Sequence, residues 1–333
     1  MIRPPGHVLR PSRVRLLALV ASVLALAACS TETVEQQSSK QTNPVRFDPL
    51  AWRPPADSEI PRDSLGASIR RGLALVTHTA DSLPSYAPGN ISCANCHLDG
   101  GRNADAAPLT GSHARFPKYL ERTGAVIGLA DRVNYCFTRS LAGNRLPVES
   151  REMQDILAYI AWLSRGVPVG EGDKLPGASG LASMPQLTGG QARGAQVYEK
   201  WCAACHRPSG EGNRELHPPV PALWGARSFS VGASMTRQSK AASFIWHNMP
   251  FGAGKTLTPQ QAYDVAAYIS AQARPDSPGK ERDWPFGGAP ADVPYATVGR
   301  AAHQPPPVLP RANPAATLVP PPAPAATKRA SSR

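Results

Sequence analysis

The chain has 333 residues, more than one compact core needs, so two domains with additional segments are expected and a single small binding module is excluded. Its formal charge of +12 is concentrated at the ends: four arginines lie in the first fifteen residues and five cations in the last thirty-four, with no acid in either stretch. Removing those nine leaves +3 for residues 30–299, so net charge lends no support to a nucleic-acid partner, while 36 Pro, 28 Gly and only 6% aromatics argue against a β-sandwich and for a small helical core, or one built around something that is not protein.

Residues Met1 to Arg15 are basic, and the thirteen apolar residues Leu16 to Ala28 that follow are too few to span a bilayer and read as the apolar region of a signal. The run ends in Leu26-Ala27-Ala28-Cys29, which resembles a bacterial lipoprotein box, so 1–29 is read as a lipoprotein-type signal peptide with Cys29 as the lipidation site. The plainer alternative is an ordinary cleaved signal with an incidental cysteine. Either reading exports the protein to the periplasmic side of the envelope. Lipidation would make acyl chains its sole membrane contact, and Ser30 favours the outer membrane by the same resemblance.

Beyond the signal, 30–61 is polar, interrupted by prolines, and expected to be a tether that orders near its end. Residues 62–166 and 189–275 are expected to be two domains, separated by a linker at 167–188 that is dense in Pro and Gly. Residues 276–333 are expected to form an extended tail whose last thirty residues, Pro and Ala with basic ends, bury too little apolar surface to offset chain entropy.

Export makes disulfides the default expectation for cysteine, yet four of the six cysteines stand in Cys93-Ala94-Asn95-Cys96-His97 and Cys202-Ala203-Ala204-Cys205-His206. On one helical turn, positions i and i+3 share a face, so both sulfurs can form thioethers with the two vinyl groups of a haem while the next residue turns its imidazole to the iron. A redox dithiol or half of a zinc site would fit one such pentapeptide. Two of them, each with three close ligand residues where zinc takes four, read as attachment sites for two covalently bound haem c groups.

The surroundings repeat. A helical segment precedes each attachment site, Ile69 to Leu75 and Gly190 to Tyr198, and an amphipathic helix follows each, Arg151 to Ser164 and Pro259 to Ala273, both containing Ala-Tyr-Ile. This order resembles the class I cytochrome c fold, implying an all-α protein of two such domains in tandem, with little sheet and disordered ends.

A class I domain takes its sixth iron ligand from the loop before the closing helix. In the second half Met249 lies there, 43 residues after His206 and 19 before Tyr268. Lys255, His247 and Met235 are alternatives, and core filling is the plain reading of any methionine. The corresponding place in the first half holds Cys136, 39 residues after His97 and 23 before Tyr159, whereas Met153 falls inside the closing helix. Cys136 is therefore the candidate ligand, against a free buried thiol or a disulfide to Cys29. An anionic sulfur lowers the reduction potential and methionine raises it, so electrons are expected to run from the first haem to the second.

The run Leu129 to Gly143 around Cys136, with Cys93 to Leu98 and Asn248-Met249-Pro250, resembles the thiosulfate dehydrogenase family of dihaem c-type cytochromes over about residues 50 to 275. That resemblance implies oxidative coupling of two thiosulfates to tetrathionate, in some members reversed, with electrons passed to a periplasmic acceptor such as another cytochrome c. It also implies His97 and Cys136 on the first iron, His206 and Met249 on the second, and Arg122, Arg132 and Ser140 lining the substrate site.

Charge supports this independently. Two dianions beside a thiolate need compensating cations, and Arg115, Lys118, Arg122, Arg132, Arg139 and Arg145 surround Cys136 with Glu121 and Asp131 as the acids of that stretch. Arg139 is added to the substrate-site residues because its fork suits an oxyanion; for each of these cations a solvated surface charge or a partner of a haem propionate is the plain alternative. Two other functions stay open: an electron carrier docked to another enzyme, and a subunit similar to the Sox-pathway dihaem cytochrome.

Overall fold

The computed structural model describes residues 46–178, 180–301 and 305–311. Helix α1 (Ser64–Thr77) starts where Asp63 accepts a hydrogen bond from the Gly66 amide at 2.8 Å, and it buries Ile69, Gly72 and Val76 on one stripe. Helix α2 (Leu129–Tyr135) leads into the π-helical turn described below. Helix α3 (Arg151–Trp162) is capped by the Ser150 hydroxyl and buries Met153, Ile156, Tyr159 and Ile160. In the second half, α4 (Gln191–Trp201), α5 (Gln238–Asn248) and α6 (Pro259–Ser270) follow, the last opened by a Thr258–Gln261 capping box with proline in its first turn. A hairpin of β1 (Lys118–Leu120) and β2 (Ala125–Ile127), with Tyr119 opposite Val126, interrupts the first half.

The internal repeat is built on one crossing. In α1, Arg71 grips the Asp155 carboxylate of α3 with two hydrogen bonds of 2.6 and 2.8 Å, and Gly72 lies under the same residue's carbonyl. In α4, Arg193 grips Asp264 of α6 at 2.8 and 2.7 Å above Gly194. A Cβ on either glycine would sit 2.0 Å from the facing carbonyl oxygen, so the helices approach this closely only because the side chain is absent. Replacing Gly72 by Ala is expected to force the helices apart and lower stability by about 1–3 kcal/mol. An unchanged denaturation midpoint in that variant would show that the crossing is more compliant than its geometry implies.

Two cores result. One gathers Ile69, Val76, Phe137, Met153, Ile156 and Tyr159, and the other gathers Tyr198, Ala242, Leu257, Val265 and Ile269. The described residues form an all-α pair of helical halves in tandem with little sheet, and from Phe47 onward the chain clusters as a single unit. Among the described residues no helix is long and apolar enough to cross a membrane.

Two stretches read as irregular from composition are packed instead. In 167–188, Leu175 and Ala178 are buried, Arg115 donates to the Ala178 carbonyl at 2.5 Å, and the Ser243 hydroxyl donates to the Ala182 carbonyl. The segment therefore lies along both halves. The tail expected to extend from 276 also folds back. Strand β3 (Arg274–Pro275) pairs in parallel with β4 (Val308–Leu309), Trp284, Val293 and Tyr295 form a third small cluster, and Arg311 donates to the carbonyls of Gly143 and Thr138 at 2.8 and 2.7 Å. The physical reason is local composition: aromatics and acids between Lys280 and Tyr295 supply the apolar area and charge partners that the Pro/Ala stretch lacks. The expected signal peptide with Cys29, the expected tether before 46 and residues 312–333 lie outside the described residues.

Candidate functional site

Each Cys-x-x-Cys-His pentapeptide forms one tight turn. Cys96 and His97 amides donate to the Cys93 carbonyl at 3.1 and 2.9 Å, and Cys205 and His206 amides donate to the Cys202 carbonyl at the same two distances. Both imidazoles are oriented alike. His97 places Nδ1 2.5 Å from the carbonyl of Ala107, a residue held at φ +48°, and His206 places Nδ1 3.0 Å from the carbonyl of Pro221. A carbonyl at Nδ1 accepts a hydrogen bond from the ring N–H, which keeps the proton there and leaves the Nε2 lone pair for a metal.

Cys136 ends α2 and opens a π-helical turn (Cys136–Ser140) in which the Leu141 amide reaches the Cys136 carbonyl at 2.9 Å. Helical spacing puts Arg132 on the same face as Cys136 four residues on, and Arg132 Nη1 donates to Cys136 Sγ at 3.0 Å. On the adjacent stripe the Arg139 guanidinium stacks 4.4 Å from the centre of the Tyr135 ring. Desolvation works against a thiolate at Cys136, but the charge of Arg132, and after it the nearby His97, outweigh that cost and bring the thiol down to about 6. Burial has the opposite result at Cys93 and Cys96, whose free thiols are pushed up to about 12, with the charge on Cys136 a lesser cause of the same sign. Cys136 therefore lies across from the first attachment turn as the anionic sulfur of the group.

Beside it opens a cleft of about 120 Å³ lined by Leu120, Arg122, Thr123, Arg132, Tyr135, Arg139, Ser140, Gly232 and Ser234. All four substrate-site residues expected from the sequence line this one cleft. The other three cations do not join it: Arg115 turns to the Ala178 carbonyl, Lys118 pairs with Asp173 at 2.7 Å, and Arg145 pairs with Asp131 at 2.6 Å. Nor are the cleft cations free of acids, as counting within the local stretch suggested. Asp283 pairs with both Arg122, at 2.8 Å, and Arg139. Asp283, Gly232 and Ser234 were missed because they arrive from the second half and from the supposed tail. The aromatic residues around Asp283 were the available signal, since a disordered tail rarely carries Trp284 and Tyr295 eleven residues apart.

In the second domain Met249 follows α5, its amide donating to the Ile245 carbonyl at 2.8 Å, and it packs against the second core. Of the alternatives, Lys255 and Met235 are engaged elsewhere, whereas the contact of His247 leaves its Nε2 free. Lys255 sits over the Trp246 ring, His247 places Nδ1 2.8 Å from the Ser243 carbonyl, and Met235 packs against the first core. Asn248 ties this loop to the first domain, donating to the Asp105 carbonyl at 3.1 Å and accepting from Asn103 at 3.3 Å. The loop that orients His97 through Ala107 thus also positions the residue preceding Met249.

These residues fit haem c. Paired free cysteines stand on one turn next to a tautomer-fixed histidine in both domains, and an anionic sulfur or a thioether is present for each. Among the described residues five buried polar side-chain atoms lack a partner, Trp162 Nε1 and Arg274 Nε among them, and Arg274 is fully buried with the Ile269 and Leu223 carbonyls as its hydrogen-bond acceptors. Burial pulls that guanidinium down to about 9. Orphaned donors of this kind suit a group that carries its own carboxylates, as haem does.

Residues 85–169 match the family described as SoxA/TsdA, cytochrome c domain, and residues 191–273 match cytochrome c. A thiosulfate dehydrogenase from Psychrobacter arcticus is 39% identical over 242 residues, covering 72% of this chain and 73% of the relative. Another from Allochromatium vinosum is 41% identical over 238 residues, covering 68% and 85%. Among solved structures, a thiosulfate dehydrogenase (TsdBA) from Marichromatium purpuratum superposes with a TM-score of 0.62 at 34% identity, covering 68% of this chain and 50% of that one. The chain therefore spans about half the length of that solved protein.

Proposed function

Since the chain belongs to the thiosulfate dehydrogenase family and carries two covalently bound haem c groups, we propose that it couples two thiosulfates to tetrathionate in the cleft beside Cys136. The carrying observation is the thiol of Cys136, lowered to about 6 and held 3.0 Å from Arg132, at the edge of an arginine-lined cleft. We assign His97 and Cys136 to the first iron and His206 and Met249 to the second.

Arg122, Arg132 and Arg139 orient the sulfonate oxygens of the first thiosulfate so that its outer sulfur faces Cys136. A bond forms between that sulfur and the Cys136 thiolate as two electrons leave, giving a cysteine S-thiosulfonate, in which the outer sulfur links Cys136 to the sulfonate, with one negative charge. The outer sulfur of the second thiosulfate attacks the bonded sulfur, tetrathionate forms, and Cys136 departs as thiolate with Arg132 ready to receive its charge. Ser140 lines the same wall and limits how the guest turns. When bound, the haems supply one-electron redox centres that accept these electrons and relay them to a periplasmic acceptor such as another cytochrome c.

Mixing the purified dihaem chain with thiosulfate and ferricyanide tests the reading. One ferricyanide reduced per thiosulfate, with tetrathionate as the product by ion chromatography, is expected; inertness toward thiosulfate would leave a simple electron carrier. Replacing Met249 by Leu should shift the potential of the second haem and slow the acceptor step while KM for thiosulfate stays within about twofold. A large change in KM would mean that Met249 serves the substrate site. For localisation we propose export to the periplasmic side of the envelope, with Cys29 as the lipid anchor and the outer membrane favoured. Cys29→Ala should release the protein to the soluble fraction, and its retention in membranes would argue against the anchor.

A further inference from the structure

A cleft for doubly charged anions has no evident use for a carboxylate, yet one grips two of the arginines that line it. The Asp283 side chain is 3% exposed. It comes from the segment after the second domain, 161 residues from Arg122 and 144 from Arg139. One oxygen accepts from Arg122 Nε at 2.9 Å and from the Tyr295 hydroxyl at 2.8 Å, while the other accepts from Arg139. Arg122 is further held by the Tyr295 hydroxyl and the Gly232 carbonyl, each at 2.6 Å, and its guanidinium lies 5.0 Å from the centre of the Trp284 ring. The backbone on either side is committed to the same contact: Trp284 takes φ +54°, a conformation unusual for a non-glycine residue, and its amide donates to the Arg122 carbonyl at 2.9 Å.

The charge balance gives this carboxylate a purpose. Arg122, Arg132 and Arg139 line the cleft, and two of those guanidinium charges, on Arg122 and Arg139, meet Asp283. Thiosulfate and tetrathionate are both dianions, so any excess of positive charge that captures the substrate also holds the product. Asp283 cancels one of those two charges while its two oxygens fix both forks in place. We propose that Asp283 is the positioning residue of the cleft, orienting Arg122 and Arg139 and lowering the net charge by one so that the dianionic product is released. The inference rests on the reading of this cleft as the thiosulfate site.

Sulfate, an unreactive dianion, separates the two ideas. In calorimetry at low ionic strength, Asp283→Asn loaded with both haems is expected to bind sulfate about five- to tenfold more tightly than the parent, with a steeper salt dependence. In turnover the same variant should show KM and kcat falling together, as slow release demands. A merely structural role would lower activity and weaken sulfate binding. Asp283→Glu keeps the charge and should bind sulfate within about twofold of the parent, which keeps the proposal open to refutation even if Asp283→Asn does not fold. Equal or weaker sulfate binding in Asp283→Asn, a shift beyond that range in Asp283→Glu, or a parent that binds no sulfate would each overturn it. A parent that binds sulfate yet leaves thiosulfate unoxidised would instead refute the proposed activity and leave the role of Asp283 standing.

Discussion

The Cys136→Met protein is expected to retain both haems and to oxidise thiosulfate at least about a thousandfold more slowly, a barrier increase of about 4 kcal/mol. Attachment should survive because the first turn is held by its own hydrogen bonds, from Cys96 and His97 to the Cys93 carbonyl and from His97 to the Ala107 carbonyl, none of which involves residue 136. Turnover should fail for two reasons that act together. A thioether has no charge to lose and cannot release a sulfur–sulfur adduct, so the proposed covalent step has no substitute. Arg132 would also face a neutral group, leaving its charge unbalanced beside the cleft. Methionine on the first iron would in addition raise its potential towards that of the second, weakening the drive between them. Haem content per chain, the ferric thiolate signature and thiosulfate-dependent reduction are the measurements. Activity within tenfold of the parent would exclude Cys136 from the chemistry.

Arg132→Gln carries the second large effect. Desolvation raises the Cys136 thiol, and the charge of Arg132 is the foremost cause holding it down at about 6. The sign follows directly: loss of a neighbouring cation disfavours the thiolate, so the thiol rises by more than about one pH unit. The parent should lose activity as pH falls through about 6, and the acid limb of the variant should lie at higher pH. At pH 7 the expected deficit is about tenfold to a hundredfold, combining the lost thiolate fraction with a lost contact to the guest. Arg132→Lys restores the charge without the fork and should return the limb towards its original position while recovering only part of the rate. An acid limb that does not move in Arg132→Gln would show that the thiolate owes nothing to this residue.

The parts legible in the sequence are those whose geometry is local. The two Cys-x-x-Cys-His turns and the apolar faces of the helices that flank them depend on residues a few positions apart, where helical periodicity alone decides what faces what. The tandem cytochrome c fold followed from their repetition in one order. Arg122 came from the family resemblance and Arg139 from the local excess of cations, but that excess also drew in Arg115, Lys118 and Arg145, which the structure engages elsewhere.

What remained hidden was the identity of the acids that meet those cations. Asp283 is separated from Arg122 by 161 residues, and the Pro/Ala stretch beyond it suggested a free tail; only the return of that segment over both domains, closed by the β3–β4 pair and by Arg311 on Gly143 and Thr138, brings it against the cleft arginines. Periodicity reports which side of a helix is apolar, whereas the field inside a site is a sum over every charge within a few ångströms. The sequence by itself therefore determined the cofactor turns, the repeat and the sulfur beside the first haem turn. The tertiary structure alone decided how much positive charge the cleft keeps, because that depends on distances between residues that no spacing along the chain encodes.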